Sequence, residues 1–94
     1  MTDRQWSLYI IETRTGTLYT GITTDVDRRL REHEQGKGAK YLRGKGPLSL
    51  KFTHACPDRS SATQLEIQVK RLSKPDKLVL IKSPSRLEEL LATD

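Results

Sequence analysis

The chain has 94 residues, a formal net charge of +5 and a hydrophobic content of 34%. This length suits one small domain and leaves no room for a separate targeting domain. The positive charge favours an anionic partner such as nucleic acid. A single cysteine argues against a disulfide framework or a zinc cluster and fits a reducing cytoplasm. Because the N-terminus is polar and no apolar run approaches membrane-spanning length, we expect a cytoplasmic protein outside the membrane.

Two strands joined by a tight turn are predicted at the start of the chain. Residues 7–11 and 17–22 are rich in β-branched and aromatic side chains. Gly16 lies between them and is expected to adopt a positive φ in a hairpin turn. A three-residue loop would pair Tyr9 directly with Tyr19 on one face of the sheet, whereas a slip of one residue would separate them. We predict the direct pairing.

A helix over residues 25–35 is predicted to follow the hairpin. Thr24 is the expected N-cap, with Asp27 three residues later as a variant of the capping box. Gly36 is expected just beyond the helix, where a left-handed backbone conformation is common.

Arg29 and His33 lie one turn apart on a single stripe of this helix. With Tyr9 and Tyr19, they bring two phenols, a guanidinium and an imidazole into a short stretch of chain. Acid–base groups beside a fixed positive charge suit phosphodiester chemistry, so these residues predict a site. Each also has an ordinary structural interpretation, since tyrosines pack in sheets and Arg29 could pair with Asp25 on the helix surface.

Residues 36–46 mix glycines with four basic side chains and are expected to include a short helix around residues 39–43. The basic residues are Lys37, Lys40, Arg43 and Lys45. Glycines let backbone N–H groups approach phosphates, and the cations attract phosphates without reading bases. The segment predicts a nucleic-acid-binding surface of weak sequence specificity, although a plain surface loop fits the same pattern. Tyr41 or Trp6 could stack on an unpaired base or pack in the core.

A third strand over residues 48–54 and a long helix are predicted next. The apolar residues of this strand, expected on one face, are Leu48, Leu50 and Phe52. Asp58 or Ser60 caps the helix, which is expected to run to about residue 74, where Pro75 stops it. Its apolar stripe consists of Ala62, Leu65, Val69 and Leu72.

A shorter helical or irregular segment is predicted over residues 77–82, and one more helix is predicted at the end of the chain. Ser85 and Glu88 form a capping box for a helix over about residues 85–92. We expect a single domain over residues 1–94, with its core over about residues 6–82.

The tripeptides Ser7-Leu8-Tyr9 and Tyr19-Thr20-Gly21, at this spacing, resemble the two motifs of the GIY-YIG nuclease family. Further residues fall where that family has its arginine, its histidine or tyrosine, and its metal-binding carboxylate: Arg29, His33 and Glu66. Thr20 stands where an aliphatic residue is usual. The basic segment is most similar to that of the small stand-alone YhbQ-like branch.

The resemblance implies an α/β (α+β) fold, with a three-stranded antiparallel sheet flanked by helices. It also implies one divalent cation, Mg²⁺ or Mn²⁺, at Glu66. One of Tyr9 and Tyr19 would take a proton from the attacking water while the other positions the water or a phosphate oxygen, with Tyr9 preferred as base. Arg29 would hold phosphate oxygens, and His33 would contribute a phosphate hydrogen bond or a proton relay.

The sequence as a whole therefore predicts a metal-dependent endonuclease with DNA as substrate. Nicked, branched or single-stranded DNA in repair or recombination is the expected substrate class. Two alternatives stay open on the same fold. One is a non-catalytic nucleic-acid-binding module. The other is an adaptor that works with a protein partner, which an exposed apolar patch formed by Leu87, Leu90 and Leu91 would favour.

Overall fold

Three antiparallel strands form the centre of the structure, a computed structural model that describes residues 5–91. The strands are β1 (Trp6–Glu12), β2 (Leu18–Thr23) and β3 (Ser49–Cys56), in the order β2-β1-β3. The helices are α1 (Val26–Glu34), α2 (Arg59–Lys70), α3 (Lys74–Lys82) and α4 (Leu87–Leu91), with 3₁₀ turns at Lys40–Leu42 and Pro84–Arg86. The predicted α+β fold is confirmed. The expected domain limits and the helix end at residue 92 lie outside the described residues.

None of the helices within residues 5–91 has the length and apolarity needed to cross a membrane.

The hairpin register differs from the predicted one by two residues. Tyr9 pairs with Gly21, and Tyr19 pairs with Ile11. The direct pairing of the two tyrosines is therefore wrong, although both still lie on one face because the shift is even. The cause is a loop over residues 13–17, which is longer than the predicted three-residue loop. In it the Thr13 hydroxyl accepts from the Thr17 N–H (3.2 Å), and these residues do not take part in the pairing of β1 with β2.

Successive residues of β1 point into two separate apolar clusters. The first cluster joins the sheet to α2, α3 and α4 and contains Leu8, Ile10, Phe52, Val69, Leu80 and Leu87. The second contains Tyr9, Ile11, Leu42 and Leu48, with Val26 and Leu30 of α1 packed against it. Helices thus cover both faces of the sheet, and Tyr9 and Tyr19 lie on the face covered by α1.

An irregularity in β3 overturns the expected alternation of its apolar residues. Phe52 pairs with Ile10 while Leu50 pairs with the next residue, Ile11, so the register shifts between them. Leu48 and Phe52 consequently belong to different clusters, and Leu50 is exposed. The prediction that these three side chains share one face was wrong, because an extra residue reverses the alternation.

The start of α1 is set by Asp25, whose carboxylate accepts from the Arg28 N–H (3.0 Å). The prediction of Thr24 as the N-cap was wrong. The Thr23 hydroxyl accepts from the Asp25 N–H (3.1 Å), so Asp25 is the N-cap and the first helical residue is Val26. Gly36 follows the helix with a φ of 77°, as predicted.

The predicted long helix ends four residues early, at Lys70, and the segment predicted over residues 77–82 belongs to a separate helix, α3. Asp58 caps α2 as one of the two predicted alternatives, but α2 ends at Lys70. Ser73 then caps α3, and Pro75 lies in the first turn of α3, where its missing N–H costs nothing. Pro75 therefore opens a helix, whereas the sequence had indicated that it closes one.

The C-terminal helix does not present the apolar patch that an adaptor would need. Ser85 lies within a 3₁₀ turn, so it does not cap α4, which begins at Leu87. Leu87 is buried, and Leu90 and Leu91 pack against the first cluster.

Thr20 introduces an unpaired hydroxyl into this fold. It pairs with Ile10, is 4% exposed, and its Oγ1 has no hydrogen-bond partner within residues 5–91. A buried polar group without a partner carries an uncompensated desolvation cost.

We predict that Thr20→Val raises the free energy of unfolding by about 1 kcal/mol, because valine has the same shape and nothing to desolvate. Thr23→Val is the matched control, since Thr23 is as buried but its hydroxyl contacts both the N–H and the carbonyl of Asp25. That control should lower stability. Urea denaturation of both variants checks the pair, and a less stable Thr20→Val would contradict the assignment.

Candidate active site

The phenol of Tyr9 lies across the space left by a glycine on the neighbouring strand. Gly21 is paired with Tyr9, and a Cβ placed on Gly21 would sit 2.5 Å from Tyr9 Oη. A side chain there would displace the phenol, because Cβ contacts below 3.0 Å do not occur in folded proteins. The second tripeptide therefore ends in glycine for a steric reason.

Tyr19 joins Tyr9 and His33 in a group of three rings. The ring centroids of Tyr9 and Tyr19 are 6.4 Å apart, and those of Tyr19 and His33 are 5.5 Å apart in an edge-to-face arrangement. Tyr9 is 2% exposed, whereas Tyr19 is only half-buried. Of the two phenols, Tyr19 is the one more open to solvent.

His33 is buried and uses both ring nitrogens within the protein. The Ala39 N–H donates to His33 Nδ1 (3.1 Å), so in the neutral ring the proton lies on Nε2. His33 Nε2–H then donates to Tyr9 Oη (2.9 Å). A side chain on Gly38 would overlap the imidazole, so the glycine lets the chain wrap closely around it. With Nε2 already protonated, neutral His33 positions Tyr9 without accepting its proton.

Opposing electrostatic effects meet at Tyr9. The pKa of Tyr9 is raised to about 12, by burial first, by the neighbouring Tyr19 second, and by the negative charge of Glu66 as the smallest of these effects. Arg29 acts in the opposite direction and lowers the Tyr9 pKa. The phenol is therefore neutral at physiological pH, and additional positive charge nearby would ease its ionisation.

Arg29 projects from α1 one turn before His33. Its Nη1 donates to Glu32 Oε1 (3.0 Å), and 35% of its side chain is exposed. Arg28 reaches the same carboxylate of Glu32 at 3.8 Å but is more exposed, at 50%. Arg29 also lowers the pKa of Tyr9, whereas the more exposed Arg28 is not among the groups that act on it.

Glu66 of α2 acts on the same phenol through its charge, which is the smallest of the effects on the Tyr9 pKa. Its side chain is 21% exposed, and its Oε2 lies 3.3 Å from Lys70 Nζ. Within residues 5–91, no cluster of three or more His, Cys, Asp or Glu side chains could enclose a metal ion. A single hard carboxylate fits a Mg²⁺ or Mn²⁺ that keeps waters and phosphate oxygens as its other ligands. Lys70 would have to release the carboxylate to such an ion.

The basic segment is a folded loop tied to the hairpin. Arg14 Nη1 donates to the Gly46 carbonyl (2.9 Å), and the Arg14 N–H donates to the Lys45 carbonyl (3.0 Å). Arg43 Nε donates to the Gly36 carbonyl (3.0 Å). Lys37, Lys40 and Arg43 are exposed, and Lys45 is half-buried. The sequence did not single out Arg14, because its partners lie about thirty residues away and leave no local pattern.

These residues coincide with a known catalytic domain. The family model of the GIY-YIG catalytic domain matches residues 5–79, a range that contains both tyrosines, Arg29, His33 and Glu66. The chain belongs to the GIY-YIG family, whose domains are nuclease domains that act on nucleic acid.

Two relatives that match this chain over nearly its whole length are both UPF0213 proteins. A UPF0213 protein of Photorhabdus laumondii is 54% identical over 94 residues, which cover 99% of this chain and 90% of the relative. A UPF0213 protein of Yersinia enterocolitica is 55% identical over 92 residues, with 97% and 95% covered.

Two solution NMR structures are also similar. The UPF0213 protein of Bacillus halodurans is 43% identical, with a TM-score of 0.55 over 96% of this chain and 99% of that one. A protein of E. faecalis is 33% identical, with a TM-score of 0.62 over 90% and 92%.

The environment of His33 predicts a pH dependence of stability. Burial, and then the charge of Arg29, lower the His33 pKa below its ordinary value of about 6.5. The unfolded chain therefore binds a proton at a higher pH than the folded protein, so the free energy of unfolding falls as pH drops below about 6.5. The loss ends once the folded pKa is passed.

His33→Gln should remove this slope between about pH 7 and about pH 5, whereas His54→Gln, which changes the exposed second histidine, should keep it. Urea titrations at several pH values provide the measurement. An unchanged slope in His33→Gln would show that another group titrates there.

Proposed function

We propose that the protein is a metal-dependent endonuclease that hydrolyses DNA phosphodiester bonds with little sequence specificity. One observation carries the proposal. The Tyr9 phenol is held by His33 and lies within the electrostatic reach of both a guanidinium, Arg29, and a carboxylate, Glu66. Such a group can bind a phosphate, hold a cation and handle a proton at one place.

The chain's own residues divide these tasks. Glu66 holds a divalent cation, which when bound neutralises charge on the scissile phosphate and the leaving oxygen. Arg29 contacts phosphate oxygens and offsets the charge that develops on them. Tyr9, oriented by the His33 N–H, would first lose its own proton to solvent, because that hydrogen bond, Arg29 and the charge of a bound cation all favour the phenolate. The phenolate would then take the proton of the attacking water. Tyr19, at the open side of the ring group, positions the water or a phosphate oxygen.

The contacts available to substrate are cationic and favour backbone recognition. Lys37, Lys40 and Lys45 are proposed to bind phosphates, together with Arg43. Phosphate contacts fix position and carry no base code, which is why low sequence specificity is proposed. Nicked, branched or single-stranded DNA in repair or recombination is the substrate class that we propose, with the described chain acting as one domain.

A non-catalytic binding module is the second candidate. The ion pair between Lys70 and Glu66 supports it, because a lysine already neutralises the carboxylate that would hold the cation. The raised pKa of Tyr9, about 12, supports it as well, since such a phenol is a poor base until positive charge arrives.

Two α2 variants separate these candidates. Glu66→Gln should abolish Mg²⁺- or Mn²⁺-dependent cleavage, because it removes the proposed ligand while keeping side-chain size. Lys70→Gln breaks the same ion pair but leaves the carboxylate, so it should keep or increase cleavage at low cation concentration. Both should change stability by less than about 1 kcal/mol, as expected for an ion pair whose lysine is exposed.

The measurement is single-turnover cleavage of a panel of duplex, single-stranded, flapped and branched oligonucleotides across a Mn²⁺ titration. Wild-type cleavage that Glu66→Gln retains would rule out Glu66 as the ligand. A wild-type protein that binds every substrate and cuts none would favour the binding module.

The two neighbouring arginines give a further prediction. Arg29→Ala should lower turnover by about 10² while affinity for DNA changes little, because a charge-stabilising donor acts mainly in the transition state. Arg28→Ala loses a similar contact with Glu32 but points to solvent, so turnover should stay near wild type. Affinities are measured in Ca²⁺ and rates in Mn²⁺. Equal losses of affinity and rate in Arg29→Ala would reduce it to an ordinary phosphate contact.

A further inference from the structure

An exposed aromatic ring continues the ring group of the site to the protein surface. Tyr41 lies on the 3₁₀ turn Lys40–Leu42 and is 49% exposed. Its ring is nearly parallel to that of Tyr19, with an angle of 19° and a centroid distance of 6.4 Å. The next residue, Leu42, is buried in the second cluster and anchors the turn. The rings thus run from buried His33 through Tyr19 to Tyr41 in solvent.

A cation covers the exposed ring. Lys45 Nζ lies 3.6 Å from the centroid of Tyr41. Arg14 holds the backbone on either side of this lysine, through the carbonyls of Gly44 (3.4 Å) and Gly46 (2.9 Å). The Tyr41 ring and the ammonium are therefore placed together by a structured loop.

This combination matches the chemistry of one unpaired nucleotide. A nucleobase has an apolar π face, which tyrosine can stack on, and its phosphate attracts an ammonium. A base inside a duplex stacks on its neighbours, so its face is not available to a ring on a protein surface. An exposed tyrosine beside lysine thus favours a strand whose bases are free.

We propose that Tyr41 is the stacking position for an unpaired nucleobase at the edge of the site. The base replaces the Lys45 ammonium over the ring, and the ammonium moves to the adjoining phosphate. Arg14 is a positioning residue for this contact. Stacking on Tyr41 requires binding alone. The inference rests on the proposed function only for the cleavage of the stacked strand, which would lead past Tyr19 towards Tyr9.

The test measures binding by the full chain in EDTA, so that no cation and no cleavage are involved. Fluorescently labelled strands of one length are compared: oligo-dT, oligo-U, a DNA duplex, and a strand of abasic sites. Tyr41→Leu removes the ring, and Tyr41→Phe is the matched control that keeps it. We expect Tyr41→Leu to weaken binding to single strands about tenfold, as for loss of one base–aromatic stack, and to leave duplex binding within about twofold. Tyr41→Phe should resemble wild type.

The abasic strand tests stacking without relying on any variant. Wild type should bind it more weakly than oligo-dT, and Tyr41→Leu should show no added loss on it. Salt titrations separate the two contacts, because Lys45→Ala should reduce the salt slope by about one while Tyr41→Leu leaves it unchanged. Equal losses of affinity for oligo-dT and oligo-U in Tyr41→Leu would indicate a base contact common to DNA and RNA. A loss of affinity for only one of them would show whether the stacked strand is DNA or RNA.

A Tyr41→Leu protein that loses duplex and single-strand binding equally would overturn the proposal, and so would a Tyr41→Phe protein as weak as Tyr41→Leu. Adding Mn²⁺ to wild type with these strands and with nicked, flapped and branched DNA tests the nuclease separately. Absence of cleavage there would contradict the proposed function and leave the binding result standing.

Discussion

The hydrogen bond between Tyr9 and His33 is the contact on which the rest of the site depends. It joins the central strand β1 to helix α1 inside a buried environment. It can form only because two glycines leave space, Gly21 beside the phenol and Gly38 beside the imidazole. The Ala39 N–H then determines which nitrogen of His33 carries the proton, and so which way the hydrogen bond points. Glycines that look like flexible loop residues are here steric requirements.

The charges around this bond explain why the site would respond to its ligands. Burial keeps Tyr9 neutral, Arg29 opposes that effect, and Glu66 reinforces it. Because Glu66 is paired with Lys70, the resting protein holds its carboxylate in an ion pair that a stronger cation could break. Metal binding and the acidity of the phenol would therefore be coupled through one carboxylate, without any change of fold.

The two faces of the sheet serve different purposes. One face carries α2, α3 and α4 over the larger apolar cluster, which supplies most of the aliphatic core. The other is covered by α1 and the basic loop, which leave Tyr19 half-buried and Tyr41 exposed. Arg14 links the hairpin to that loop, so the surface proposed to meet nucleic acid is attached to the same strands that carry the tyrosines. The larger apolar cluster thus lies on one side of the sheet, and the two tyrosines and the basic loop lie on the other.

The resemblance to the GIY-YIG family predicted the class of fold, and the amino-acid sequence by itself determined the elements and their order. These follow from local patterns: β-branched strands, an apolar stripe on α2, and glycine after α1. Tertiary structure decided the pairing of Tyr9 with Gly21, the switch of faces between Leu50 and Phe52, and the early end of α2 at Lys70. Each depends on a competing contact, such as the Thr13 hydroxyl in the hairpin loop or the Ser73 cap of α3. The buried state of His33 and the role of Arg14 also required the folded chain, because their partners are distant in sequence and no local spacing records them.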